Sequence, residues 1–167
     1  MTQHGSPGGP RGLRNLRIVA LALFAGGGVM VAVAAQIMSG VIADRALFGQ
    51  AVSPLFYSQA LLGLGCTLSY LVLLWLDKPL APATRRRYLG MGLVMLACVL
   101  GYFGMQPIMA ELRLEAGAGG VMSSSGRRLF GMLHGVLLLL YLVQTALAIY
   151  LLWKETRKVD VVATSTV

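Results

Sequence analysis

Residues 18–41, IVALALFAGGGVMVAVAAQIMSGV, run for 24 positions without a charged side chain. As a helix this stretch measures roughly 36 Å, enough to cross a hydrocarbon layer of about 30 Å with some tilt. Three more stretches repeat the pattern: LFYSQALLGLGCTLSYLVLLWL (55–76), YLGMGLVMLACVLGYFGMQPIMA (88–110) and LFGMLHGVLLLLYLVQTALAIYLLW (129–153). Trp75 and Trp153 stand at the ends of two of them, where interfacial aromatics are favoured. A backbone in lipid must satisfy its own N–H and C=O groups, which a helix does. The expected fold is an all-α integral membrane protein, a four-helix transmembrane bundle.

Composition agrees with this reading. Apolar residues make up 57% of the 167 positions and charged residues only 12%, against about 25% charged in a soluble globule. The length suits one domain. Outside the spans, residues 1–17 form a Gly-, Pro- and Arg-rich stretch with no apolar period, expected as a disordered tail that includes His4. Residues 45–54 are too short to span and are expected as an interfacial turn or short amphipathic helix. Residues 154–167 are expected as a second polar tail. Pro107, late in the third span, is expected to kink or end that helix.

The cations set an orientation. Arg11, Arg14 and Arg17, Lys78 and Arg85 to Arg87, and Lys154, Arg157 and Lys158 fall on one side, ten in all. Arg45, Arg113, Arg127 and Arg128 fall on the other. The positive-inside rule places both termini and the middle loop in the cytoplasm, in the cell (inner or plasma) membrane. The same rule accounts for the net charge of +8 without nucleic-acid binding. The basic start and Ala32-Val33-Ala34 also have the form of a cleavable signal. The apolar run continues to Val41, too long for such a segment, so an uncleaved anchor is expected.

Helical periodicity sorts the spans into faces. Ala25, Gly28, Ala32, Ala35 and Ser39 make a small-residue stripe on the first, suited to close helix packing. Gln59, Gly63, Cys66 and Tyr70 share a face of the second, the natural partner for that stripe. Gln36, Gln59 and Gln144 are amides at membrane depth, expected to face the interior and hydrogen bond between helices. On the third span Met91, Met95, Cys98, Tyr102, Met105 and Met109 fall in one arc. Soft thioether and thiolate groups suit Cu(I), although Met is also a flexible core filler, and no facing Met- or Cys-rich helix exists. Cys66 and Cys98 lie inside apolar runs, form no CxxC, and read as small buried hydrophobes rather than a disulfide.

His134 is the one intramembrane residue that ordinarily titrates near neutral pH, and Tyr141 and Thr145 share its face. It lies only five residues into the fourth span, so a hydrogen-bonded structural role competes with a functional one.

The stretch from Gln106-Pro107-Ile108 through Arg113 to Phe130-x-x-x-His134-Gly135 resembles the transmembrane-protein-205-like family, some of whose members are catalogued as domain of unknown function 4149. The resemblance covers about Leu23 to Trp153. Pro107, Phe130 and His134 match the family's proline closing the third helix and its Phe–His pair opening the fourth. Ala46, Gly49 and Phe56 match the segment leading into the second. The chain departs from the family at Ala35-Gln36-Ile37, where members often carry a proline. The resemblance implies a compact four-helix membrane protein and no defined activity.

Three functions compete. A non-enzymatic accessory or assembly protein, contacting another membrane protein or itself within the bilayer, fits the small-residue stripe and spans free of charge. A small transporter or channel would place His134, Tyr141, Gln144, Gln36 and Gln59 along a polar path, yet no acid or base lies at the midplane. Copper handling would use Met91, Met95, Cys98, Met105 and Met109. No cofactor is expected, since bis-histidine haem would need a second intramembrane His. No catalytic constellation can be assembled from two histidines and six acids, so no enzyme is expected.

Overall fold

The computed structural model describes residues 10–77, 80–115 and 122–164. They form four helices: α1 (Pro10–Val41), α2 (Arg45–Leu76), α3 (Pro82–Glu115) and α4 (Ser124–Thr164). Each is long and apolar enough to cross a membrane. The protein is therefore a multi-pass membrane protein. α1 packs on α2 and α4, and α3 packs on the same two, whereas among the described residues the backbones of the diagonal pairs stay apart. The result is a four-cornered bundle with neighbours in chain order, as short connections dictate.

Both caps at the loop end come from side chains. Asp44 Oδ1 accepts a hydrogen bond from the Leu47 amide at 3.1 Å, and Ser123 Oγ accepts one from the Gly126 amide at 3.1 Å. Each supplies a partner that the first helical turn lacks. Lipid serves as the outer solvent, which explains why Met30 at 68% exposure and Leu139 at 60% face outward from the spans.

The core lies toward the end that carries the termini. Leu21, Phe24, Tyr70, Leu74, Met95 and Leu151 are among its buried members. Close approach needs small residues here. A Cβ at Gly63 would lie 2.6 Å from the Phe24 ring, and one at Gly28 would lie 3.1 Å from Thr145 Oγ1. The expected pairing of the α1 stripe with the Gln59–Tyr70 face is therefore present in part. Ala25 and Gly28 are buried, whereas Ala32 and Ser39 are exposed.

Helix ends differ from the sequence expectations in one direction: every helix is longer. Residues 10–17, expected in the disordered tail, belong to α1; residues 1–9, with His4, lie outside the described residues. Pro10 occupies the first helical position, where a missing N–H is harmless. Residues 45–54, expected as a separate interfacial element, are the first turns of α2, which continues through Pro54. α3 likewise continues through Pro107 to Glu115. α4 runs on past Trp153 into the expected polar tail. Hydropathy marks where lipid begins, and a helix can continue beyond it on its own hydrogen bonds.

Candidate functional site: an intramembrane cavity

At the end formed by the α1–α2 turn and the α3–α4 loop, the bundle encloses a cavity of about 720 Å³. Its walls come from the first half of α2, the second half of α3 and the first half of α4; no α1 residue lines it among the described residues. Phe48, Val52, Phe56, Val99, Leu137 and Leu140 make much of the surface apolar. Into it converge Gln59, Gln144, Tyr141 and His134. A largely apolar cavity with a few converging polar groups is the usual form of a small-molecule site.

Hydrogen bonds to α1 hold two of these polar residues. Gln59 Nε2 donates to the Phe24 carbonyl at 3.1 Å. The Tyr141 hydroxyl donates to the Gly28 carbonyl, and its ring meets Phe56 edge-on at 5.6 Å. Gln144 is buried, and its Oε1 has no hydrogen-bond partner among the described residues. Gln36 does not join them: it is exposed on α1, contrary to the expectation that all three amides face inward. It lies more than two turns beyond Gly28 toward the loop end, where α1 presents more of its surface outward.

His134 is exposed at the rim of the cavity. Its ring lies parallel to that of Phe130, 6.4 Å between centroids and 7° between planes. The Arg113 guanidinium stands 5.4 Å from the centroid of the same Phe130 ring, within cation–π range. The Phe130–His134 pair visible in the sequence is thus one side of a cluster that Arg113 of α3 completes. Nearby, Tyr102 accepts a hydrogen bond from Gln106 Nε2 at 2.5 Å.

A second recess of about 590 Å³ adjoins the first and shares Gln50, Ser53, Gln106 and Arg113 with it. Pro54 of α2 and Pro107 of α3 both line this recess. Proline has no N–H, so the helix carbonyls four residues earlier, those of Gln50 and Phe103, lose their usual helical donor. Both interruptions fall on facing helices beside one opening, an arrangement that separate spans could not reveal.

The α3 sulfur stripe is divided. Met95 is in the core with Met91 packed against it. Cys98 and Met109 line the cavity, and Met105 approaches Gly101 on its own helix. Cys66 and Cys98 are free thiols. Among the described residues no three His, Cys, Asp or Glu side chains gather as a metal site would require.

A family model described as "Domain of unknown function (DUF4149)" matches residues 19–118. The chain belongs to the DUF4149 family. No curated protein and no solved structure matches it. The DUF4149 match takes in α1 from residue 19 onward, the whole of α2 and α3, and both prolines of the recess. It ends before α4, so Phe130, His134, Tyr141 and Gln144 lie outside it.

The opposite end of this DUF4149 chain holds what the sequence reading missed. Arg17 of α1 donates through Nη1 to Asp77 Oδ2 at 2.6 Å and through Nη2 to Glu155 Oε2 at 3.3 Å. Exposure is 1% for Arg17, 5% for Asp77 and 0% for Glu155, so charge is buried at this end of the bundle, just outside the four uncharged stretches. The three residues flank separate apolar runs and look like ordinary loop charges. Only the extension of α1 and α4 beyond those runs brings them together. Buried Glu155 Oε1, Thr67 Oγ1 and the Tyr70 hydroxyl have no hydrogen-bond partner among the described residues, which leaves the polar groups here incompletely satisfied. This end is closed by ions and core side chains; the other is hollow.

Proposed function

We propose that this is a non-enzymatic membrane protein that takes up a small amphiphilic molecule in its intramembrane cavity, for binding or passage, with His134 in the polar path. One observation carries the reading: His134, Tyr141, Gln144 and Gln59, drawn from two helices, converge on a single cavity of about 720 Å³. Side chains that served only to join helices would be expected to fill the space between them. Gln36 falls outside the path. The cation distribution supports an orientation with both termini in the cytoplasm and the cavity toward the opposite face of the cell membrane. Pro107, Phe130 and His134 support placing the chain among the transmembrane-protein-205-like proteins.

Native mass spectrometry of delipidated protein tests the reading. Wild type is expected to retain small-molecule adducts that an Ala60→Trp variant, filled at the cavity wall, loses. Equal adducts on both proteins would refute it.

An accessory or assembly role is the second reading. Gly131 and Gly135, four residues apart on α4, are exposed, and a methyl group at either would meet nothing within 4 Å among the described residues. A close-packing glycine pair of this kind suits another transmembrane helix. Crosslinking in native membranes tests it; a Gly131→Leu/Gly135→Leu variant should lose any crosslinked partner that wild type captures, and an unchanged pattern would refute the role.

A further inference from the structure

The geometry points to a single-chain anionic lipid as the occupant of the cavity, admitted sideways from the bilayer between α2 and α3 and held by its headgroup at Arg113 and His134. This rests on the reading of the cavity as a binding site and names the class of molecule it takes.

Size comes first. At ~30 Å³ for each methylene-sized group, close to the volume of a water molecule in the liquid, a space of about 720 Å³ holds on the order of twenty heavy atoms. That is room for one long acyl chain with a compact headgroup. The deeper wall, from Val52 and Ala60 to Val99 and Leu140, suits a hydrocarbon chain.

Charge comes second. Arg113 is exposed in the last turn of α3 and lines both the cavity and the adjoining recess. Arg113 and His134 both stand against the Phe130 ring and line the same cavity, so an imidazole and a guanidinium border one opening. An anionic headgroup placed there would meet charge-assisted donors at the depth where the apolar span gives way to the α3–α4 loop. The Gln50 and Gln106 amides, which line both spaces, add neutral donors.

The route comes third. The recess that carries Pro54 and Pro107 continues from the cavity between α2 and α3. Side chains of both helices, rather than a loop, form its sides, and Pro54, Pro107 and Ala110 are exposed there. A molecule already dissolved in the bilayer could therefore reach the cavity while keeping its chain in an apolar medium throughout.

The test uses the full chain in phosphatidylcholine nanodiscs, with diazirine-bearing palmitic acid and the corresponding diazirine palmityl alcohol as photoprobes. The acid is expected to label Val52, Phe56 and Val99 saturably, at least fivefold more than the alcohol. Arg113→Gln is expected to remove most of that preference while leaving alcohol labelling unchanged; a monodisperse elution profile would confirm that the variant is folded. Equal labelling of cavity residues by both probes, unaffected by Arg113→Gln, would overturn the anionic assignment while leaving the cavity reading intact. No saturable labelling of those residues by either probe would overturn both. Saturable labelling by the acid that Pro54 and Pro107 neighbours do not share, even at short irradiation, would overturn the lateral route.

Discussion

At the end bearing the termini, Arg17, Asp77 and Glu155 are at most 5% exposed, and the buried core that includes Tyr70 and Leu74 lies toward the same end. At the loop end, His134 and Arg113 stand exposed at the rim of a cavity that side chains do not fill. The same four helices thus treat polar groups in two ways. One end uses them against each other, with a guanidinium shared between two carboxylates. The other brings them to the wall of a cavity, with Gln59 and Tyr141 bonded to α1 carbonyls and Gln144 Oε1 without a partner among the described residues. Burial of an ion pair is a poor source of net stability but an effective means of fixing how helices meet. An open polar site is a poor source of stability too. In the function proposed above, the closed end is the frame and the hollow end is the binding site.

The largest effect expected from breaking this contrast is at Arg17. Arg17→Ala strands two buried carboxylates and is expected to lower stability by about 3–5 kcal/mol, measured by reversible unfolding in mixed micelles. Replacing the whole cluster with Arg17→Met, Asp77→Leu and Glu155→Leu is expected to recover wild-type stability or exceed it, because no charge is then left unpaired. A triple variant as weak as Arg17→Ala would show that the ions stabilise the fold outright.

A smaller effect separates packed from open glycines. Gly63→Ala, whose methyl group would meet the Phe24 ring, is expected to lose about 1–3 kcal/mol. Gly65→Ala, two residues on, has nothing within 4 Å and is expected to stay within about 0.5 kcal/mol of wild type. Equal losses in the same unfolding assay would mean that α1 and α2 do not pack as described.

Within the cavity the effects on stability shrink. Tyr141→Phe removes the hydrogen bond to the Gly28 carbonyl and is expected to lose about 1 kcal/mol. Gln144→Met removes an amide oxygen that has no partner among the described residues, so the unfolding midpoint is expected to hold or rise. His134→Ala, at an exposed position, should change stability by less than about 0.5 kcal/mol while reducing the small-molecule adducts seen by native mass spectrometry. A His134→Ala protein that is destabilised but retains its adducts would assign the residue to structure instead.

How much of this was legible in the sequence follows from the physics of each feature. Four uncharged stretches read as helical spans, because a helix satisfies its own backbone in lipid and continuous apolar runs of this length suit a helix rather than a barrel strand. The convergence of His134, Tyr141, Gln59 and Gln144 on one cavity could be anticipated, since an amide or imidazole in a span seeks polar partners inside the bundle. Gln36 broke that rule because the rule ignores where a helix leaves its neighbours. Helix ends were harder: hydropathy falls at Arg17 and Lys154 although the hydrogen-bonded backbone does not stop there. The ion cluster was hidden for that reason, its members being 60 and 138 residues apart. The recess between Pro54 and Pro107 depends on the relative rotation of α2 and α3, which periodicity within either helix does not encode.

The most direct test is thiol accessibility along α4 in oriented membrane vesicles. In a Cys66→Ser/Cys98→Ala background, cysteines placed at His134, Ala148 and Leu151 would be exposed to a charged, membrane-impermeant methanethiosulfonate from each face in turn. The account predicts that His134→Cys reacts rapidly from the face opposite the termini, and that Ala148→Cys and Leu151→Cys stay silent from both. Reaction at Ala148→Cys or Leu151→Cys, or protection of His134→Cys from either side, would contradict a bundle that is hollow at one end and sealed at the other.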